Sequence, residues 1–180
     1  MLNYFKGLST HRGGWILLLI SGLVLESVAL FFQYGMNLSP CVMCVYERVA
    51  LFGIILSAIV GLIEPKCFIT RTLALIIGII SAVKGVLLSV KHVDYQLNPA
   101  PWNQCSYMAE FPQVLPLDKW FPLIFKPYGI CSEISWTFLG FSMPQWLIIV
   151  FTSYCLVFIL LIISQFKHKK IDRLILTTGL

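Results

Sequence analysis

Cys41 and Cys44 stand three residues apart in the run Cys41-Val-Met-Cys44-Val-Tyr-Glu47-Arg48. A pair at this spacing can carry out thiol–disulfide exchange, in which one thiolate attacks and the other resolves the mixed disulfide. Ser39 and Pro40 come just before, the types expected at a helix N-cap and first turn. The pair is therefore expected at the mouth of a helix. Arg48 falls one helical turn beyond Cys44, on the same face. Helix N-terminal amides and a fixed cation both favour an ionised sulfur, so the arrangement suits a thiolate. Spacing alone leaves a half zinc site and a structural disulfide open. Haem attachment needs histidine after the second cysteine, and Val45 stands there. Zinc would need partners such as Cys105 and Cys131, but 25 residues separate those two and no histidine lies near them in sequence. No metal site is expected. The stretch Leu38-Ser-Pro-Cys41 faintly resembles a lipoprotein cleavage box, and the proline before the cysteine argues against processing.

The elements that must hold this pair are membrane helices. Of 180 residues, 58% are apolar and only 12% charged, a balance a water-soluble globule does not tolerate. Mean hydropathy is +0.86. The net charge of +5 is not laid out as a nucleic-acid recognition stripe, because the basic residues sit at the ends of apolar runs. Four such runs predict spans at about 15–33, 45–63, 72–90 and 144–164, each long enough to cross a bilayer. The expected architecture is a single all-α membrane domain over 1–180, a four-helix bundle with outer loops at about 34–44 and 91–143. The first run follows a basic start but is too long for a signal-peptide core and lacks a small-x-small site, so it reads as a retained span. Glu26 is an ionisable group inside it and is expected to face the bundle interior or a polar cavity.

Lys84, Leu88 and His92 recur at i, i+4, i+8 near the outer end of the third run. Lys84 is expected to snorkel, and His92 to sit at the interface just past the span. The long loop carries Cys105, Cys131 and the apolar, proline-broken segment 111–126, which reads as lying in the membrane interface with Trp120 at headgroup level. Ser142 and Gln145 fit a capping box, and Trp136 and Trp146 suit the interface. Lys6, Arg12, Lys66, Arg71, Lys167, Lys169, Lys170 and Arg173 all fall on the side of the termini, against Lys91, Lys119 and Lys126 opposite. The positive-inside rule therefore predicts cytoplasmic termini, with both cysteine pairs outside, where disulfides persist. Cys67, in the cytoplasmic loop, and Cys155, within the fourth span, are not expected to be catalytic.

Two cysteine pairs on one face of a small bundle suggest a relay: one in a loop that can reach a protein, one fixed at the bilayer surface. No flavin or nicotinamide motif is present, so the acceptor available to the fixed pair is a lipid-soluble quinone. Arg48 would favour a Cys44 thiolate and stabilise negative charge on a quinone oxygen.

The chain closely resembles the DsbB family of disulfide-forming, quinone-reducing inner-membrane proteins of Gram-negative bacteria, from about residue 14 to 170. The resemblance rests on Pro40-Cys-Val-Met-Cys-Val-Tyr-Glu-Arg48 with Ala50-Leu-Phe-Gly53, Leu115-Pro-Leu-Asp-Lys-Trp120 and Met143-Pro-Gln-Trp-Leu147, together with the loop cysteines and four-span plan. It implies that a reduced DsbA-like periplasmic thioredoxin-fold oxidase attacks a Cys105–Cys131 disulfide at Cys105. Cys131 then exchanges with Cys41, and Cys44 donates to ubiquinone or menaquinone. It also implies that Arg48 and His92 contact the quinone and that Glu47 and Glu26 lie near the ring. Cys67 and Cys155 are not part of the family pattern. A paralogue of the DsbI kind serving another thioredoxin-like protein, or a non-enzymatic four-span scaffold with inert disulfides, are the alternatives. The scaffold leaves the Cys44–Arg48 spacing unexplained.

Overall fold

The computed structural model describes residues 7–106, 108–109, 111 and 116–166. Lys6, the basic tail residues Lys167, Lys169, Lys170 and Arg173, and residues 112–115 of the proline-broken segment lie outside the described residues. Four long helices carry the fold: α1 Arg12–Leu30, α2 Val42–Ile63, α3 Phe68–Leu97 and α6 Met143–Phe166. All four are long and apolar enough to cross a membrane. Helix α1 continues into a wider π-turn, Phe31–Gly35. The long loop contributes two single-turn helices, α4 Leu117–Trp120 and α5 Pro122–Phe125, and an antiparallel hairpin of β1 Thr137–Phe138 with β2 Phe141–Ser142. Leu139 and Gly140 form the hairpin turn, both in the left-handed region at φ 52° and 82°.

Helix α2 packs between α1 and α3, and α3 packs against α6. Tyr154 on α6 donates to Ser21 on α1 at 3.0 Å and closes the ring. Where lipid replaces water, helices associate through close packing rather than hydrophobic burial, and small residues permit it. Helix α3 presents such a stripe: Ala74, Gly78, Ala82, Gly85 and Ser89 are all buried. A side chain at Gly78 would meet the Phe158 ring, and one at Gly85 the Phe151 ring. Ser57 on α2 donates to the Ala74 carbonyl at 2.7 Å across the α2–α3 contact. The outward faces are apolar: Leu17, Ile69 and Leu87 are 71%, 74% and 59% exposed.

Several local expectations change. The third helix outlasts its apolar run at about 72–90 and continues to Leu97, because no proline intervenes before Pro99 and Asp94 accepts from the Asn98 backbone and side chain at 2.9 and 2.7 Å. His92 is consequently inside the helix, and its side chain is buried. Lys84 is exposed and does not share a face with it, since eight residues at 3.6 per turn rotate the direction by about 80°. Finally, the N-cap of α2 is Cys41 itself, at φ −83° and ψ 172°, not Ser39. The Pro40 carbonyl accepts from the Tyr128 and Gly129 amides at 2.8 and 3.0 Å, which holds the chain extended there and delays the helix to Val42. The Ser142–Gln145 box forms in its reciprocal half: Ser142 N–H donates to Gln145 Oε1 at 2.8 Å, while the Ser142 hydroxyl donates to Gln96 Oε1 at 2.8 Å.

Candidate functional site

The Cys41 sulfur replaces the usual oxygen of a cap and accepts from the Cys44 amide at 3.3 Å. Both thiols are free, with sulfurs 2.9 Å apart. The hydrogen bond with the Cys44 thiol first, then the backbone amides of Cys44 and Met43, hold the Cys41 thiol below the usual thiol range against its burial and the charge of Glu47. His92 approaches from α3, its Nε2 3.5 Å from Cys41 Sγ. Its Nδ1 donates to Glu47 Oε1 at 3.1 Å. A carboxylate accepts, so Nδ1 carries hydrogen, and Nε2 faces the Cys41 sulfur. Cys41, His92 and Glu47 thus form a chain of thiol, imidazole and carboxylate in contact, brought together by α2 and α3 and all buried.

One turn deeper, Arg48 Nε pairs with Glu26 Oε1 at 3.0 Å, with both side chains buried. Arg48 Nη1 donates to Gln33 Oε1 at 2.9 Å and to the Ile124 carbonyl at 2.6 Å. The α4–α5 segment is tied down over the same place, because the Leu123 carbonyl accepts from Gln33 Nε2 at 2.9 Å and from the Tyr34 hydroxyl. Phe125 packs on Phe52 with ring centroids 5.6 Å apart. The base within hydrogen-bonding reach of the thiols is therefore His92, while the polar contacts of Arg48 are to oxygen.

These residues border a cavity of about 350 Å³, a size suited to a small organic ring. Glu26, Gln33, Cys41, Cys44, Glu47, Arg48, His92 and Gln96 line it, against otherwise mostly apolar walls. Trp136, Phe138 and Trp146 also line it as one aromatic group, with Trp146 Nε1 donating to the Phe138 carbonyl at 3.1 Å. Glu26 Oε2 and Glu47 Oε2 are buried without a hydrogen-bond partner. All six inner residues named from the sequence meet here: Glu26, Cys41, Cys44, Glu47, Arg48 and His92.

Cys105 and Cys131 are joined in a disulfide and stand outside the cavity wall. Cys131 is buried in one packed cluster with Cys41, Met43 and Tyr95, and Cys105 borders that cluster. Cys105 is half-buried, between exposed Gln104 and Ser106, with Trp102 nearby at 88% exposure. The 128–129 backbone docked on Pro40 brings Cys131 to this position, and Gly129 is required because any side chain there would strike the Ser39 carbonyl.

Sequence reasoning did not single out Gln33, Gln96 or the Ile124 carbonyl. Gln33 had a signal: it lies seven residues after Glu26, two helical turns along the same face. The Ile124 carbonyl had none, since a backbone group carries no residue code.

A family model, Disulfide bond formation protein DsbB, matches residues 11–161. A curated protein named Disulfide bond formation protein B from Histophilus somni is 61% identical over 175 residues, 97% of this chain and 99% of that protein. Those of the same name from Mannheimia succiniciproducens and Pasteurella multocida are 61% and 55% identical over 170 residues, 94% of this chain and 96% of each.

Proposed function

The chain belongs to the disulfide bond formation protein B family, a membrane disulfide-forming oxidoreductase of four spanning helices, and from that membership we propose that it reoxidises a periplasmic DsbA-like thioredoxin-fold dithiol and passes the electrons to membrane quinone. The observation that carries the reading is the single cavity joining the Cys41–Cys44 pair to Arg48. The partner's thiolate attacks Cys105 Sγ, the Cys105–Cys131 bond breaks, and Cys131 leaves as a thiolate. Resolution within the mixed disulfide releases the oxidised partner. Cys131 attacks Cys41 of an oxidised Cys41–Cys44 pair, Cys44 leaves as a thiolate facing the cavity, and Cys105 then displaces Cys41 from Cys131, which restores the loop disulfide and leaves the Cys41–Cys44 pair reduced. The shared packing of Cys131 and Cys41 supports this order, as does the more accessible position of Cys105.

His92, oriented by Glu47, takes and returns the Cys41 proton during exchange. The residues fit a quinone: the walls are apolar, and Arg48 and His92 are donors suited to carbonyl oxygens, with Gln33 and Gln96 adding polar edges. A quinone bound there would supply a two-electron, two-proton acceptor, ubiquinone or menaquinone. The Glu26–Arg48 pair holds the guanidinium facing the cavity, and the α4–α5 segment covers it through Ile124. The termini are placed in the cytoplasm and both cysteine pairs on the periplasmic side of the bacterial inner membrane, following the distribution of lysine and arginine.

Oriented vesicles with the periplasmic face outward test activity and sidedness together. Reduced thioredoxin-fold partner added outside should be oxidised only when the vesicles contain quinone, and an impermeant maleimide should spare Cys67 until the membrane is opened. Oxidation in quinone-depleted vesicles would remove the acceptor, and labelling of Cys67 in sealed ones would reverse the orientation.

A further inference from the structure

The reduced Cys41–Cys44 pair offers a chemistry that disulfide exchange does not use. We propose that, in the reduced protein, Cys41, Cys44 and His92 form a binding site for a thiophilic divalent cation of the zinc class, with the fourth coordination position open to the cavity. Among the described residues these are the three whose ligand atoms come together, all within 4.8 Å. The fold supplies the histidine that the sequence lacked near the motif, since His92 is 51 residues from Cys41 along the chain.

The distances suit a tetrahedral ion. Zinc with sulfur at about 2.3 Å and nitrogen at about 2.0 Å holds a sulfur and a nitrogen about 3.5 Å apart and two sulfurs about 3.8 Å apart. Cys41 Sγ and His92 Nε2 are already 3.5 Å apart. The two sulfurs, at 2.9 Å, open by about 0.9 Å, and the Cys44 sulfur, within 4.8 Å of the imidazole, settles at about 3.5 Å from it, both by turning Cys44 about χ1.

The second shell is built. Glu47 Oε1 accepts from His92 Nδ1 at 3.1 Å, which fixes the ring and aims the Nε2 lone pair at the sulfurs. This carboxylate–histidine arrangement orients and strengthens an imidazole ligand. Cys41 and His92 are each 3% exposed, so two of the three ligands are already immobilised. All three line the cavity, where a water can complete the coordination.

Binding displaces the two thiol protons and moves no electrons. The oxidised pair has no thiolate to offer, so the site exists in one redox state. A bound cation occupies the Cys41 sulfur and holds the pair reduced. The proposal needs neither quinone nor partner, and its test contains neither.

The full chain carrying Cys67→Ser, Cys155→Ser, Cys105→Ser and Cys131→Ser retains only the Cys41–Cys44 pair. Purified in detergent, reduced with a phosphine and titrated with Co²⁺ alone without air, it should develop thiolate-to-cobalt charge transfer and the intense visible bands of four-coordinate cobalt. These should saturate at one cobalt per chain and vanish on adding Zn²⁺. The same protein with the pair oxidised should show neither. Glu47→Gln should weaken cobalt binding by about 10- to 100-fold. His92→Ala should weaken it at least as much and shift the visible bands. Two free thiols without charge transfer would overturn the proposal, and so would a spectrum and affinity unchanged in both His92→Ala and Glu47→Gln.

Discussion

Replacing Cys105 with alanine is expected to abolish oxidation of the thioredoxin-fold partner while leaving the Cys41–Cys44 pair able to form its own disulfide. The reason is access. Cys131 is 1% exposed and Cys41 3% exposed, so neither sulfur is open to the in-line approach of a thiolate on another protein. Cys105 is the half-buried member, in a stretch with exposed neighbours. In the variant the incoming thiolate meets Cys131 as a thiol rather than as half of a disulfide, and the only sulfur–sulfur bond left, at Cys41–Cys44, is out of its reach. With native Cys105 and a partner lacking its resolving cysteine, the chain should instead accumulate as a mixed disulfide through Cys105. Partner turnover at the normal rate in Cys105→Ala would place the attack elsewhere and break the relay order.

Arg48→Ala should raise the KM for quinone about 10- to 100-fold, the equivalent of about 1.5–3 kcal/mol for a hydrogen bond from a charged donor. Partner exchange at the loop disulfide should continue. The same substitution strands the Glu26 carboxylate in a buried place, so stability should fall by about 3–5 kcal/mol. The two effects separate in the double variant Glu26→Gln/Arg48→Met, which removes both charges. It should recover most of the stability and none of the quinone affinity. Arg48→Lys should recover affinity only in part, because a point charge cannot reproduce contacts that now reach Glu26, Gln33 and the Ile124 carbonyl together. Denaturant unfolding in detergent and steady-state kinetics read the two quantities independently. An unchanged quinone KM in the double variant would leave Arg48 a purely structural group.

The spans were legible because lipid demands long apolar helices, and their ends were not, because a helix can outlast its apolar stretch. Helix α3 shows the difference: Lys91, Asp94 and Gln96 end the hydrophobic run but not the helix. The same helix shows why the burial of His92 was not legible in the spacing chosen. Its i, i+4, i+8 relation to Lys84 selects a drifting direction, whereas the small residues at 74, 78, 82, 85 and 89 mix steps of four and three and lead directly to 92. That stripe is visible in the sequence and points His92 into the bundle. The cysteine pair and Arg48 were legible as one face of one helix, and they do line one cavity. What α1 and the long loop bring to them was not. The pairing of Glu26 with Arg48 was invisible because no periodicity links separate helices, even though Glu26 alone signalled an inward-facing charge. The shift of the cap from Ser39 to Cys41 depends on Tyr128 and Gly129 reaching back to Pro40, a contact no local pattern announces.

The central claim is that electrons taken from a protein dithiol arrive at quinone through these four cysteines. The most direct measurement is a single turnover without oxygen: purified chain loaded with quinone is mixed with a limiting amount of reduced partner, and quinol and partner disulfide are counted together. The account predicts about one quinol per partner disulfide, since each exchange moves an electron pair, and no quinol when Cys44 is replaced by serine. Partner disulfide forming without quinol, or quinol forming undiminished in Cys44→Ser, would contradict it.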